Sequence, residues 1–139
     1  MNQSLLVYVH DNNMITKIVT QFYGIFPYHH YHARTHEVLA NLGSPVEVQF
    51  GGAQGPIVAF ETGDVVLIPA GCGHCRLSSG HDLRIVGAYP AGQEDWDLKR
   101  GDNPAHYAQA KSEIDGVPLP GADPLDGSDG QLPDYRPRP

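Results

Sequence analysis

Over the first ninety positions, apolar and polar residues alternate in short runs, each closed by a turn signal. Ser4 to Val9 is rich in β-forming residues and precedes the turn signal Asp11-Asn12-Asn13, and Ile15 to Tyr23 again has strand character. Tyr28 to His32 alternates, which sets His30 and His32 on one face and His29 and Tyr31 on the other. After the loop Ala33-Arg34-Thr35, the run His36 to Leu42 predicts the next strand, Gly43-Ser44-Pro45 a turn, and Val46 to Phe50 a cleanly alternating strand closed by Gly51-Gly52. Ile57 to Phe60, Val65 to Ile68, His74 to Leu77 and Leu83 to Tyr89 predict further strands, with turns at Thr62-Gly63-Asp64 and Pro69-Ala70-Gly71. Strands spaced about eight to twelve residues apart, with turn chemistry between them, are the rhythm of a β-sandwich or barrel. Residues 1–90 therefore read as all-β.

Past Pro90 the pattern changes. Glu94 to Arg100 is compatible with one turn of helix around Trp96. Asn103 to Ile114 is a stronger helical segment, with Asn103 suited to the cap, Pro104 to the first helical position, and alanines following. From Gly116 onward prolines and glycines exclude a regular helix or a central strand. The expected organisation is one domain, with residues 1–115 as a β-barrel ending in a short helical segment and 116–139 as an extended arm of the same domain.

Composition adds limits. A chain of 139 residues fits a single core, and 16 glycines with 12 prolines suit many tight turns. The formal net charge of −7, with most acidic residues after position 90, argues against a nucleic-acid-binding face. No apolar run approaches the roughly 18 residues of a membrane helix, and Met1 to His10 lacks the basic region of a signal peptide. A cytoplasmic location with no membrane partner is the expectation. Cys72 and Cys75 cannot build a disulfide framework, which fits a reducing compartment.

The chemistry concentrates in His30-Tyr31-His32 and Glu37. Two imidazoles at i and i+2 of a strand reach the same ion, and a carboxylate five residues on, across a tight loop, can return to that face. His36 competes for that role, but alternation sets it opposite Glu37, which shares its face with Leu39 and Asn41. A fourth ligand has to come from elsewhere, and His74 lies just past a Pro-x-Gly turn. His29 reads as exposed or at an interface rather than as a ligand, and His10, His81 and His106 read as surface residues. Cys72-Gly73-His74-Cys75 has the form of a redox or zinc CxxC pair, but strand geometry turns Cys75 away from His74.

Gly24 to Glu37 resembles the first cupin motif (glycine, five residues, His-x-His, four residues, Glu), and Gly63 to His74 resembles the second (glycine, five residues, Pro-x-Gly, two residues, His). Thr35 to Leu39, Val48 to Gly52, Ile68 to Gly71, Val86 to Pro90 and Val117-Pro118-Leu119-Pro120 are also similar to small bacterial YjlB-like cupins, so the resemblance covers roughly residues 24–132. Ser44 departs from the glycine that usually ends the first motif, with Gly43 one place early, and Ser78 replaces a frequent asparagine. The resemblance implies a double-stranded β-helix, or jelly-roll barrel, with one metal ion held by His30, His32, Glu37 and His74.

Three neutral imidazoles and a carboxylate suit one divalent transition metal: Fe, Mn, Ni, Co or Zn. Alternation sets Tyr28 and Arg76 inward as candidate substrate-binding residues, Arg76 offering a fork either to a substrate carboxylate or to an acidic residue of the barrel in a salt bridge. The expected function is that of a metalloenzyme acting on a small organic ligand, a chelating acid or diol, by dioxygenase, decarboxylase or isomerase chemistry. The alternative is a non-catalytic module that binds a metal or a small ligand. The lead before Gly24 is short compared with such relatives, which leaves a sheet edge needing cover and predicts a homodimer.

Overall fold

The computed structural model describes residues 6–9, 24–90, 92–93, 95–122, 127 and 129. Among them are nine strands, β1 (Leu6–Val9), β2 (His30–Tyr31), β3 (Glu37–Asn41), β4 (Val46–Phe50), β5 (Ile57–Phe60), β6 (Asp64–Ile68), β7 (His74–Arg76), β8 (Ile85–Ala88) and β9 (Lys99–Arg100), and one helix, α1 (Pro104–Asp115). The strands form two sheets, in the orders β1-β6-β3-β8 and β5-β4-β7-β2-β9, and every pairing is antiparallel. The strand expected over Ile15 to Tyr23 and the turn at Asp11-Asn12-Asn13 lie outside the described residues.

Leu39, Val46, Val48, Phe50, Phe60, Val66, Ile68 and Ile85 pack into one buried cluster with Ile25 and Cys72. In β4 the alternation is visible directly, with Val46, Val48 and Phe50 buried and Glu47 exposed. β6 is buried at every position, as its continuous apolar run implies. Full burial of each large apolar side chain stabilises the fold by about 1.5–3 kcal/mol.

The helix has a separate task. Tyr31 and Ala33, on the face of β2 opposite His30, form a second cluster with Ala110, Tyr107 and Ile114 of α1. Asn103 caps the helix, its side chain accepting from the Ala105 amide at 3.0 Å, and Pro104 begins it. Gly71 lets the helix end seat closely. Its φ is +80°, and a Cβ there would lie 2.9 Å from the Ile114 side chain. Both faces of β2 are thereby kept from water, and the histidine pair is held on a rigid support.

One element differs from expectation. Residues 95–98 are irregular and Lys99–Arg100 is strand β9, so the turn of helix expected over Glu94 to Arg100 does not form. β9 covers the edge of β2, pairing His30 with Arg100 and Tyr31 with Lys99. The Asp97 carboxylate accepts from the amides of Ala33 and Arg34, both at 2.9 Å, which fastens the segment in extended form. These nonlocal bonds outweigh a weak local helical tendency.

Candidate metal centre

β2 and β7 deliver the imidazoles from one sheet, and β3 brings a carboxylate from the other. His30 and His74 are directly opposed in the β2–β7 pairing, so their side chains share a face. Their rings lie 4.1 Å apart between centroids, and the His32 ring lies 5.9 Å from His30 and 5.7 Å from His74. One nitrogen from each of His30, His32 and His74 falls within 4.8 Å of the others, a spacing that can hold a metal ion. Glu37, the first residue of β3, places Oε2 3.4 Å from His32 Nε2 and 3.2 Å from His74 Nε2. All four side chains are buried.

The outer hydrogen bonds decide what this group can accept. Nδ1 of His30 bonds the Tyr28 carbonyl at 3.0 Å, Nδ1 of His74 bonds the Cys72 carbonyl at 3.1 Å, and Nδ1 of His32 bonds the Asp97 carbonyl. A carbonyl only accepts, so each neutral ring carries its proton on Nδ1 and leaves an Nε2 lone pair available. Such outer partners orient metal-ligating imidazoles. Glu37 Oε1 accepts from the Tyr89 hydroxyl at 3.0 Å, whereas Oε2, also buried, receives no hydrogen bond. Acceptors thus converge without a donor, and burying such a group is costly unless a cation joins it. These residues fit a metal ion.

A proton on His32 is the other way to relieve that convergence. Burial pulls the His32 pKa down, but the hydrogen bond and charge of Glu37, with the Asp97 carbonyl, outweigh it, and the net shift is upward. Burial pushes Glu37 up, yet the hydrogen bonds and charge that His32 and His74 supply when protonated hold it well below the usual carboxylate range. For His30, burial and then the His74 charge lower the pKa to about 4, so that ring stays neutral. Burial and then the Glu37 charge push Tyr89 far above an ordinary phenol, making it a fixed hydrogen-bond donor.

Tyr28 lies beside the centre, its ring 5.7 Å from that of His30 and stacked on Phe26 at 5.1 Å. Arg76 has a different employment from the carboxylate fork the strand pattern suggested. Its Nε donates to the Ile25 carbonyl at 3.1 Å, and one terminal nitrogen donates to the Ser78 carbonyl at 2.9 Å and to the Ser79 hydroxyl. Arg76 braces the segment before β2 against the loop after β7. His36 faces away from the centre. Its Nδ1 accepts from the Ala70 amide at 3.0 Å, and burial lowers its pKa against the opposing effect of the Pro118 and Val117 carbonyls. Cys72 and Cys75 are free and buried, and burial pushes the Cys72 thiol up to about 11, which keeps it protonated.

Sequence reasoning missed Tyr89, Trp96 and Asp97. Trp96 stacks on Tyr89 at 5.7 Å and stands edge-on to His32 at the same centroid distance. Gly87, two residues before Tyr89, leaves room for the carboxylate, since a Cβ there would lie 3.2 Å from Glu37 Oε1. The signal for Tyr89 was its place two residues beyond Gly87 on the inward side of β8, which pairs with β3. Asp97 offered no comparable local signal.

No helix among the described residues is long and apolar enough to cross a membrane. No protein-family model and no solved structure matches the chain. Over 104 residues, 75% of its length, the chain is 46% identical to the uncharacterized protein YjlB of Bacillus subtilis (strain 168), and the match spans 62% of that protein.

Proposed function

We propose that this chain is a cupin-type barrel that holds one divalent transition metal on His30, His32, His74 and Glu37 and acts on a small chelating organic ligand. The observation that carries the reading is the convergence of three Nε2 lone pairs with a buried carboxylate oxygen that no donor reaches. The second motif supports the barrel assignment, since its leading Gly63 sits at φ +92° in the turn ahead of β6 and the glycine of its Pro-x-Gly turn, Gly71, at φ +80° ahead of β7.

Borderline nitrogen donors with one oxygen suit Fe, Mn, Co, Ni or Zn better than Mg or Ca. Such an ion, when bound, supplies Lewis acidity and coordination positions left open by the protein. The chain's own residues do the rest. Tyr28, Cys72 and Asp97 fix the imidazole tautomers through their carbonyls, Tyr89 orients Glu37, and the half-exposed rings of Phe26 and Trp96 flank the centre.

The test is metal analysis of the purified chain, followed by turnover assays with chelating acids and diols on protein loaded with Fe(II), Mn(II) or Zn(II). Ligand-dependent oxygen uptake or product formation that vanishes in Glu37→Ala supports the enzyme. Tight ligand binding without turnover across these metals would assign the alternative, a binding module. Full metal occupancy in His74→Ala would overturn the ligand set.

A further inference from the structure

The β2–β9 pairing sets Arg100 directly opposite His30. Directly opposed residues share a face, so Phe50, His74, His30 and Arg100 form one row across β4, β7, β2 and β9 on the side of the metal centre. Arg100 ends that row at the sheet edge. Its guanidinium carbon lies 4.0 Å above the Tyr28 ring centroid, and that ring in turn touches His30. One aromatic ring therefore separates a fixed cation from the imidazole cluster.

The two arginines near the site differ in what their donors do. Arg76 spends its fork on backbone carbonyls and Ser79. Arg100 makes no hydrogen bond through its guanidinium among the described residues. Its nearest carboxylate, Asp102, stands at 3.8 Å, and both side chains are more than half exposed. The contact with the Tyr28 ring face holds the charge in place without using any N–H donor, so the donors remain available to a ligand. A planar fork of free donors is suited to receiving a carboxylate through two parallel bonds. The surfaces beside the centre are aromatic: Phe26 stacks on Tyr28, and Trp96 on Tyr89, with Phe26 and Trp96 each 38% exposed.

We propose that Arg100 is the anion-recognition residue of this site, and that the ligand is a small, flat organic acid whose carboxylate meets Arg100 while separate oxygens reach the metal centre. The assignment rests on the metal-binding reading above. It excludes neutral diols as the preferred ligands and gives Tyr28 a definite part, as the platform that holds the guanidinium in place.

The test compares catechol with 3,4-dihydroxybenzoate, which share a chelating head and differ in one carboxylate, on the full chain loaded with Co(II). Binding is read by the visible spectrum of the metal and by calorimetry. The carboxylate should tighten binding about tenfold, the size of one good charge-assisted pair. Arg100→Gln should abolish that preference while the metal stays stoichiometric, and Arg100→Lys, a point charge without a fork, should restore part of it. Raising salt should weaken the preference in the wild type and in Arg100→Lys, and change nothing in Arg100→Gln. A metal-loaded Arg100→Gln protein that still prefers the acid would overturn the assignment and leave the metal site standing. A wild-type chain that takes up no metal would overturn both.

Discussion

Asn41 and Glu37 stand at opposite ends of β3, both turned between the sheets and both nearly inaccessible to water. Asn41 is fully employed. Its amide donates to the Phe60 carbonyl at 2.8 Å and the Ser44 carbonyl at 3.0 Å, and its oxygen accepts from Gly43 at 2.9 Å. Gly43 is needed there, because a Cβ would lie 2.1 Å from the Asp82 carbonyl oxygen. Glu37 has one oxygen on Tyr89 and the other facing imidazole lone pairs. A buried polar group with every bond made holds the fold together, whereas one left incomplete is the exception that a bound ion would account for. The same strand carries both, four residues apart.

The largest expected effect lies at the incomplete end. His74→Ala and His32→Ala should each weaken metal affinity roughly a hundredfold or more, beyond what changes to outer partners of ligands cost. His29→Ala should leave metal content unchanged, since its ring belongs to neither face of the cluster. Elemental analysis after desalting reads all three, and equal metal in His29→Ala and His74→Ala would erase the distinction between the two ends of β3.

Stability should respond unequally at the two positions. Asn41→Ala removes the side-chain hydrogen bonds to the Phe60 and Ser44 carbonyls and the Gly43 amide and should cost about 2–4 kcal/mol. Glu37→Gln removes the charge that pairs with His32 in the metal-free protein but keeps the shape and offers an amide N–H to the facing imidazoles, so the metal-free protein should lose less stability than Asn41→Ala does. Its metal affinity should fall nonetheless. Urea unfolding of metal-free protein compares the pair, and equal destabilisation by both would mean that Glu37 is as structural as Asn41.

Acidity should separate the ends as well. Among the described residues, the groups that bond Asn41 do not titrate, whereas metal and protons compete at the other end. His32, with its raised pKa, is the first competitor, so affinity should fall about tenfold per pH unit below that pKa. In metal-free protein the signs differ by residue. His30, lowered to about 4, binds fewer protons folded than unfolded, so stability should rise with pH between about 4 and 6.5 and hold above that. Glu37, depressed, adds stability that is lost as pH falls through its folded value, whereas the His32 contribution is lost as pH rises through its own. A competition titration that stays flat between pH 5 and 8 would rule out a three-imidazole site.

How much of this was legible from the chain follows from the range of each interaction. His30 and His32 are two residues apart on one strand, Glu37 follows across a short loop, and His74 follows a Pro-x-Gly turn, so local geometry placed each on its face. The strands from β3 to β8 follow the alternation to within a residue or two, and α1 follows its cap and first-position proline. The outer partners were not legible. Tyr89 reaches Glu37 across 52 positions and Asp97 reaches His32 across 65, and apart from the small residue Gly87 before Tyr89 nothing local marks either contact. The same holds for Arg100, whose position depends on β9 pairing at the edge of β2, where the local pattern suggested a helical turn. Alternation set Arg76 inward, but it carried no information about the Ile25 and Ser78 carbonyls that occupy its fork.

The smallest effect expected is that of Tyr89→Phe, and it is the most discriminating about why Glu37 is held as it is. The substitution removes one hydroxyl at 3.0 Å from Glu37 Oε1 and leaves the ring stacked on Trp96 and edge-on to His32. Stability should change by about 1 kcal/mol at most, because the lost bond is single and Tyr89 is only partly buried. Metal should still bind stoichiometrically when in excess, with affinity reduced roughly three- to tenfold, at or below the low end for outer partners of ligands. The reason is orientation. With Oε1 released, the carboxylate can rotate about its last torsion, and Oε2 is no longer directed toward the imidazole nitrogens. If Tyr89→Phe instead removes the metal as completely as His74→Ala, Glu37 depends on its phenol as strictly as Asn41 depends on its three backbone partners, and the two ends of β3 would be built alike.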